Sequence, residues 1–171
     1  MNAFAVEQLE LQPADRVLEI GFGGGINLSS LIQGAAFVAG VDPSRDVVRH
    51  ASARFAKTVA AGRAIFRVGC VEAIPFELAQ FGKVCTVNTV YFWKSLDAGF
   101  SEIRRVLAPG GRVVVGFLPK EWMDRLGVPA DIFTPRVPED VIAAMNKVGF
   151  KGVRVERPHA STAWNVIVAV R

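Results

Sequence analysis

Between Val17 and Gly25 the chain passes from a short apolar run, VLEI, straight into four glycines in five positions, GFGGG. That transition limits the possible folds more than any other feature. The run reads as a buried strand, and Leu28, Leu31 and Ile32 beyond it read as the inward face of a helix. Glycines between the two let the backbone turn sharply and approach a ligand closely, because no Cβ intervenes. In open α/β sheets ligands sit at the carboxyl ends of strands, where this loop falls.

The rest of the chain repeats the alternation. β-branched runs at residues 16–20, 35–41, 63–69, 83–88 and 112–117 alternate with helical patterns, the mark of βαβ units around a parallel sheet. Two last runs, 152–157 and 163–171, lie too close together for a helical crossover and predict an antiparallel hairpin. Ser44 is placed to cap one helix over 45–61, with Val47, Val48, Ala51 and Phe55 on its inner face. A second helix presents Phe100, Ile103 and Leu107, and the Pro-Gly-Gly at 109–111 reads as the turn that follows. A third begins at Pro138, carries Glu139 and Asp140 in its first turn, and ends at Gly149. With no repeat, low-complexity tract or linker in 171 residues, one domain over 1–171 is expected.

Composition narrows the function classes. The net charge of +4 arises beyond Phe100, where eleven basic residues face seven acidic ones against nine of each before it. These charges are scattered, which disfavours a nucleic-acid footprint. Cys70 and Cys85 lack metal-ligand spacing and read as reduced, buried thiols, the usage of a cytoplasmic protein. No apolar run approaches the ~20 residues of a membrane span.

Seventeen residues after Gly25, the segment VAGVDPS places Asp42 at the end of the second strand. A carboxylate there can accept both hydroxyl hydrogens of a ribose. The glycines follow G-x-G-x-G, with Ile26 breaking the dinucleotide order G-x-G-x-x-G. Glu19, two residues before the first glycine, disfavours a pyrophosphate and favours a ligand bearing an amino group or positive charge. A sulfonium amino acid joined to a ribose fits both conditions.

In order and spacing, VLEIGFGGG, VAGVDPS, VGCVEAIPF and IRRVLAPGGRVVV resemble the motifs of class I S-adenosylmethionine-dependent methyltransferases, nearest to the branch that includes quinone and sterol methyltransferases. The resemblance spans about residues 11–117. It implies a Rossmann-like α/β fold, a seven-stranded, mostly parallel sheet with helices on both faces and an antiparallel last strand. It further implies S-adenosyl-L-methionine as cofactor, with Gly21, Phe22 and Gly23 around its methionine part. Glu19 would orient the loop and the amino group, Asp42 would hold the ribose, and Pro43 and Ser44 would lie near the adenine. In VGCVEAIPF, which covers Cys70, Val71 and Glu72, relatives carry an Asp that accepts from the adenine amino group. Here Cys70 stands in its place, a poor acceptor, while the Val71 amide can still serve a ring nitrogen.

Methyl transfer from a sulfonium is an in-line displacement from an already activated donor, so alignment and a dry site matter more than a triad. Asn88 ends the fourth strand, where its backbone carbonyl can receive the cofactor's amino group. Tyr91 and Trp93 follow as candidates for the acceptor wall or for cation–π contact with the sulfonium. His159, in the final hairpin, is a candidate general base where the acceptor must lose a proton. Only about fifteen residues precede the first strand, where many relatives have a covering helix. The Pro-rich segment 118–138 is then the candidate lid or homodimer contact. The expected acceptor is a small, partly apolar molecule. The alternatives are a protein that binds S-adenosylmethionine or S-adenosylhomocysteine without transferring, a methyltransferase acting on protein or RNA, and a nicotinamide oxidoreductase.

Overall fold

The computed structural model describes residues 1–171, and the strands it contains follow the β-branched runs. β1 (Arg16–Ile20), β2 (Phe37–Asp42), β3 (Ala64–Val68), β4 (Phe81–Val87), β5 (Leu107–Phe117), β6 (Lys151–Glu156) and β7 (Asn165–Val170) form one sheet in the order β3-β2-β1-β4-β5-β7-β6. The first five strands are mutually parallel, and β7 pairs antiparallel with both β5 and β6. This is the mixed sheet that the alternation predicted. Because β1 has its neighbours β2 and β4 on opposite sides, their connections leave in opposite directions, and a crevice opens at their carboxyl ends.

Helices cover both faces. α1 (Asn2–Gln8), α2 (Leu28–Gly34) and α3 (Arg45–Arg54) pack on one side, where Leu9, Leu28, Leu31 and Ala51 meet Val17, Val38 and Cys85. On the other side α5 (Leu96–Val106), α6 (Lys120–Leu126) and α7 (Pro138–Lys147) bring Phe100, Ile103, Met123, Val141 and Met145 against Leu18, Val84 and Val113. Alternation along the central strands therefore serves two cores at once. No helix is long and apolar enough to cross a membrane.

Two local expectations need correction. The helix over 45–61 is broken, because Phe55 leaves helical geometry (φ −107°, ψ 26°) and a separate α4 (Ala56–Ala60) follows. The kink lets the Phe55 ring reach Phe66 of β3 at 6.0 Å, a contact that a straight helix-wheel reading does not contain. The Pro-Gly-Gly at 109–111 is not a turn outside the strand but an irregularity within β5. Pairing jumps from Phe81–Leu107 to Lys83–Arg112, and Arg171 meets the extra residues by donating to Gly111 and accepting from Gly110. The caps fall where expected: Ser44 accepts from Val47, and Gly149 follows α7 at φ +93°.

Candidate functional site

A cleft of about 450 Å³ opens at the carboxyl ends of β1, β2 and β4, a size common for small-molecule sites. Gly21, Gly23, Asp42, Pro43, Cys70, Val71, Glu72, Asn88, Phe92 and Trp93 are among its walls. Most of the residues singled out from sequence are thus brought together around one space.

The glycine loop has two distinct reasons for its glycines. Gly21 lies at φ +68°, and a Cβ on it would collide with Cγ2 of Thr89. Gly23 lies at φ +47° with nothing within 4 Å of the place a Cβ would take. The first glycine is demanded by the protein, and the second leaves open space beside the loop. Thr89 is in turn fixed through its hydroxyl to Thr86, whose Oγ1 donates to the Ile20 carbonyl at 3.0 Å.

Asp42 spans the cleft's floor. Its Oδ2 accepts from Gly23 N–H and its Oδ1 from Ser44 N–H, each at 3.0 Å. Each carboxylate oxygen keeps a second lone-pair direction, so ribose hydroxyls can still be accepted. Glu19 is almost wholly buried beneath the loop, 3% exposed, and is not itself a wall of the cleft. Its Oε1 accepts from Asn27 Nδ2 at 2.8 Å, while Oε2 is buried without a partner. Burial pushes its carboxyl up to about 7, against the opposing effect of the Asn27 hydrogen bond. Burial first, and then the Glu19 charge, also push the Cys85 thiol well above its usual range.

The segment after β3 is held from behind. Glu102 of α5 accepts from Ile74 N–H at 3.0 Å and pairs with Arg105, which donates to the carbonyls of Ile74 and Phe76. Glu72 accepts from Lys94 N–H at 2.8 Å, joining this segment to the loop after β4. Cys70, expected to be buried, is exposed on the cleft wall.

Other candidates stand differently from expectation. Phe22 turns under the loop, its ring 5.5 Å from Phe66, so only its backbone belongs to the loop's ligand side. Ser44 is the N-cap of α3 and reaches the site through its amide alone. Trp93 both lines the cleft and packs 5.1 Å from Phe100. Tyr91 is buried just behind the wall, its hydroxyl donating to Asn88 Oδ1 at 3.2 Å and accepting from Leu118 N–H. Burial pushes its phenol up to about 12, although the Leu118 hydrogen bond works the other way. His159 is exposed in the β6–β7 hairpin, at the sheet edge beyond β5, and does not line the cleft.

Two contributors carried no assigned role in the sequence reading. Phe92, 55% exposed, lines the cleft and stands 5.0 Å from Phe133 of the 118–138 segment. Arg136 donates to the carbonyls of Val90 and Trp93, and Thr134 N–H donates to the Tyr91 carbonyl. The segment is thereby tied to the single 3-10 turn Val90–Phe92. The run of three aromatics was the available signal for Phe92; nothing local marks Arg136.

Residues 18–115 match the family described as "Methyltransferase domain". The chain is 28% identical over 123 residues to the uncharacterized methyltransferase YdaC of Bacillus subtilis, covering 71% of this chain and 66% of that protein. It is 29% identical over 115 residues to a ubiquinone/menaquinone biosynthesis C-methyltransferase of Geotalea daltonii, covering 66% of this chain and 49% of that one. The chain thus spans about half to two thirds of the length of these relatives. The solved structure of the YcgJ protein of Bacillus subtilis superposes with a TM-score of 0.83 at 15% identity, over 99% of this chain and 97% of that one.

Proposed function

The chain belongs to the methyltransferase-domain family, the class I S-adenosylmethionine-dependent methyltransferases, and on that premise we propose that it moves a methyl group from S-adenosyl-L-methionine to a small, partly apolar acceptor. The observation that carries this reading is the pairing of Asp42 with the open space beside Gly23 in one cleft. A ribose against Asp42 would place the attached amino acid toward the loop, above the buried Glu19 carboxylate with its unpartnered oxygen.

When bound, the cofactor would supply a methyl carbon activated by its sulfonium, to which an acceptor lone pair bonds in line as the carbon–sulfur pair leaves with sulfur. The residues of this chain supply position and dryness. Asp42 and Pro43 hold the nucleoside side, with Cys70, Val71 and Glu72 along the adenine edge. The glycine loop and the backbone carbonyl of Asn88 hold the amino-acid side. Phe92 and Trp93 form the acceptor wall, and segment 118–138 covers it through the Phe92–Phe133 contact. Tyr91, buried with its hydroxyl engaged at both ends, serves by holding neighbours rather than by taking a proton. An exposed free thiol at Cys70 suits a reducing, cytoplasmic setting.

Calorimetry with S-adenosylhomocysteine tests the cofactor claim, and transfer of labelled methyl into a size-fractionated cell extract tests the acceptor class. The expected results are micromolar binding and label in the small-molecule fraction. Absence of binding below millimolar concentration refutes the cofactor claim, and label confined to protein or RNA refutes the acceptor class.

A further inference from the structure

The polarity of one cleft side chain is settled by its neighbours. Tyr91 has one hydroxyl proton. Its oxygen accepts from Leu118 N–H, so the proton is directed to the only other partner in reach, Oδ1 of Asn88 at 3.2 Å. That fixes which end of the Asn88 amide is oxygen. The carbonyl end is engaged behind the wall, and the Nδ2 end makes no hydrogen bond within the chain. Asn88 itself is pinned, with its N–H on the Gly116 carbonyl at 2.8 Å and its backbone in the left-handed region at φ +59°. Asparagine tolerates that conformation better than most residues. A cleft-lining amide held in this way offers two N–H donors and withholds its acceptor.

Phe92 and Trp93 line the same cleft, and Phe133 extends the aromatic surface from Phe92. Tyr91 packs edge-on to both Phe92 and Phe133, so the residue that orients the amide also steadies the apolar wall. Donor and wall are therefore set by one side chain.

We infer that Asn88 Nδ2 is an acceptor-specificity group, oriented by Tyr91, and that the acceptor is a planar apolar molecule presenting a ring hydroxyl or enol oxygen rather than an amine. An oxygen there receives the amide's hydrogen bond, and more strongly when ionised. A ring amine offers only a delocalised lone pair, a weaker acceptor of that bond, and its own N–H groups find no free oxygen on Asn88, whose Oδ1 is engaged by Tyr91. This rests on the proposed methyltransferase reading, and Tyr91 is a positioning residue in it, acting only through Asn88.

The test uses the full chain saturated with S-adenosylhomocysteine and a matched pair of probes, 1-naphthol and 1-naphthylamine, with binding followed by probe fluorescence. Cofactor binding is measured separately, so its failure counts against the function and not against this inference. The wild type is expected to bind the naphthol roughly tenfold more tightly than the amine, the worth of about one hydrogen bond. Asn88→Asp, which replaces the donors by a carboxylate, should cancel or reverse that preference. Tyr91→Phe frees Oδ1 and lets the amide turn, so it should reduce the ratio toward one while cofactor affinity stays within about twofold. Retention of the full ratio in Tyr91→Phe would overturn the orienting role. Equal or tighter binding of the amine by the wild type, or binding of neither probe by cofactor-loaded chain, would overturn the specificity itself.

Discussion

Asn27 Nδ2 donates to Glu19 Oε1 at 2.8 Å, so a side chain on β1 and the residue that leads into α2 close the glycine loop between them. Asn27 spends its amide on this contact and does not cap its own helix. The loop's shape is thus carried by a buried carboxylate whose ionisation is disfavoured.

That carboxylate makes stability depend on pH. Burial raises Glu19 from 4.5 to about 7, so between those values the folded chain holds a proton that the unfolded chain has released. Its contribution is complete below about pH 4.5 and is lost as pH rises through about 7, a fall of about 3 kcal/mol. Glu19→Gln has no such titration. Urea unfolding of both proteins from about pH 4.5 to 8 should show the wild type losing stability relative to the variant across this window. A pH-independent difference would contradict the buried, strained carboxylate.

The two glycines should fail in different ways. Gly21→Ala sets a Cβ against Thr89 and forces an L-residue to φ +68°, so it should cost about 2–4 kcal/mol of stability. Gly23→Ala meets no neighbour, and its φ of +47° alone should cost about 1 kcal/mol. Its methyl projects into open space beside the loop, so the larger loss should be in S-adenosylhomocysteine affinity. Denaturant midpoints and calorimetry on the same preparations separate the two effects.

Asp42 is expected to govern affinity more than folding. Asp42→Asn keeps the shape but removes the charge and half the acceptor capacity that Gly23, Ser44 and a ribose must share. Charge-assisted hydrogen bonds of about 1.5–3 kcal/mol correspond to roughly a 10- to 100-fold loss of affinity for S-adenosylhomocysteine. A loss below threefold would place the ribose elsewhere.

The sheet and its loop were legible because their signals are local. A strand ending in glycines, a cap such as Ser44 and a proline at the start of α7 are each written within a few residues. What escaped depended on distant partners. His159 follows a strand whose end points the right way, yet the order β4-β5-β7-β6 sets it aside, and strand order is not encoded in any one strand. Phe22 sits among glycines that face the cleft, but its side chain turns inward because Gly40 of β2 leaves room for its ring. Tyr91 was marked by position alone; its double hydrogen bond needs Leu118, 27 residues further on.

Cys70 gives a direct reading of whether the cleft is filled. It is exposed on the cleft wall, whereas Cys85 is completely buried between strands with its thiol held protonated. Iodoacetamide in the folded chain should therefore label Cys70 and spare Cys85. Saturating S-adenosylhomocysteine should slow Cys70 labelling at least about tenfold, by steric cover alone, if the adenine edge lies along Cys70, Val71 and Glu72. Mass spectrometry of the two cysteine peptides over time provides the rates. Unchanged labelling by a chain that calorimetry shows to be loaded would move the adenine away from this edge.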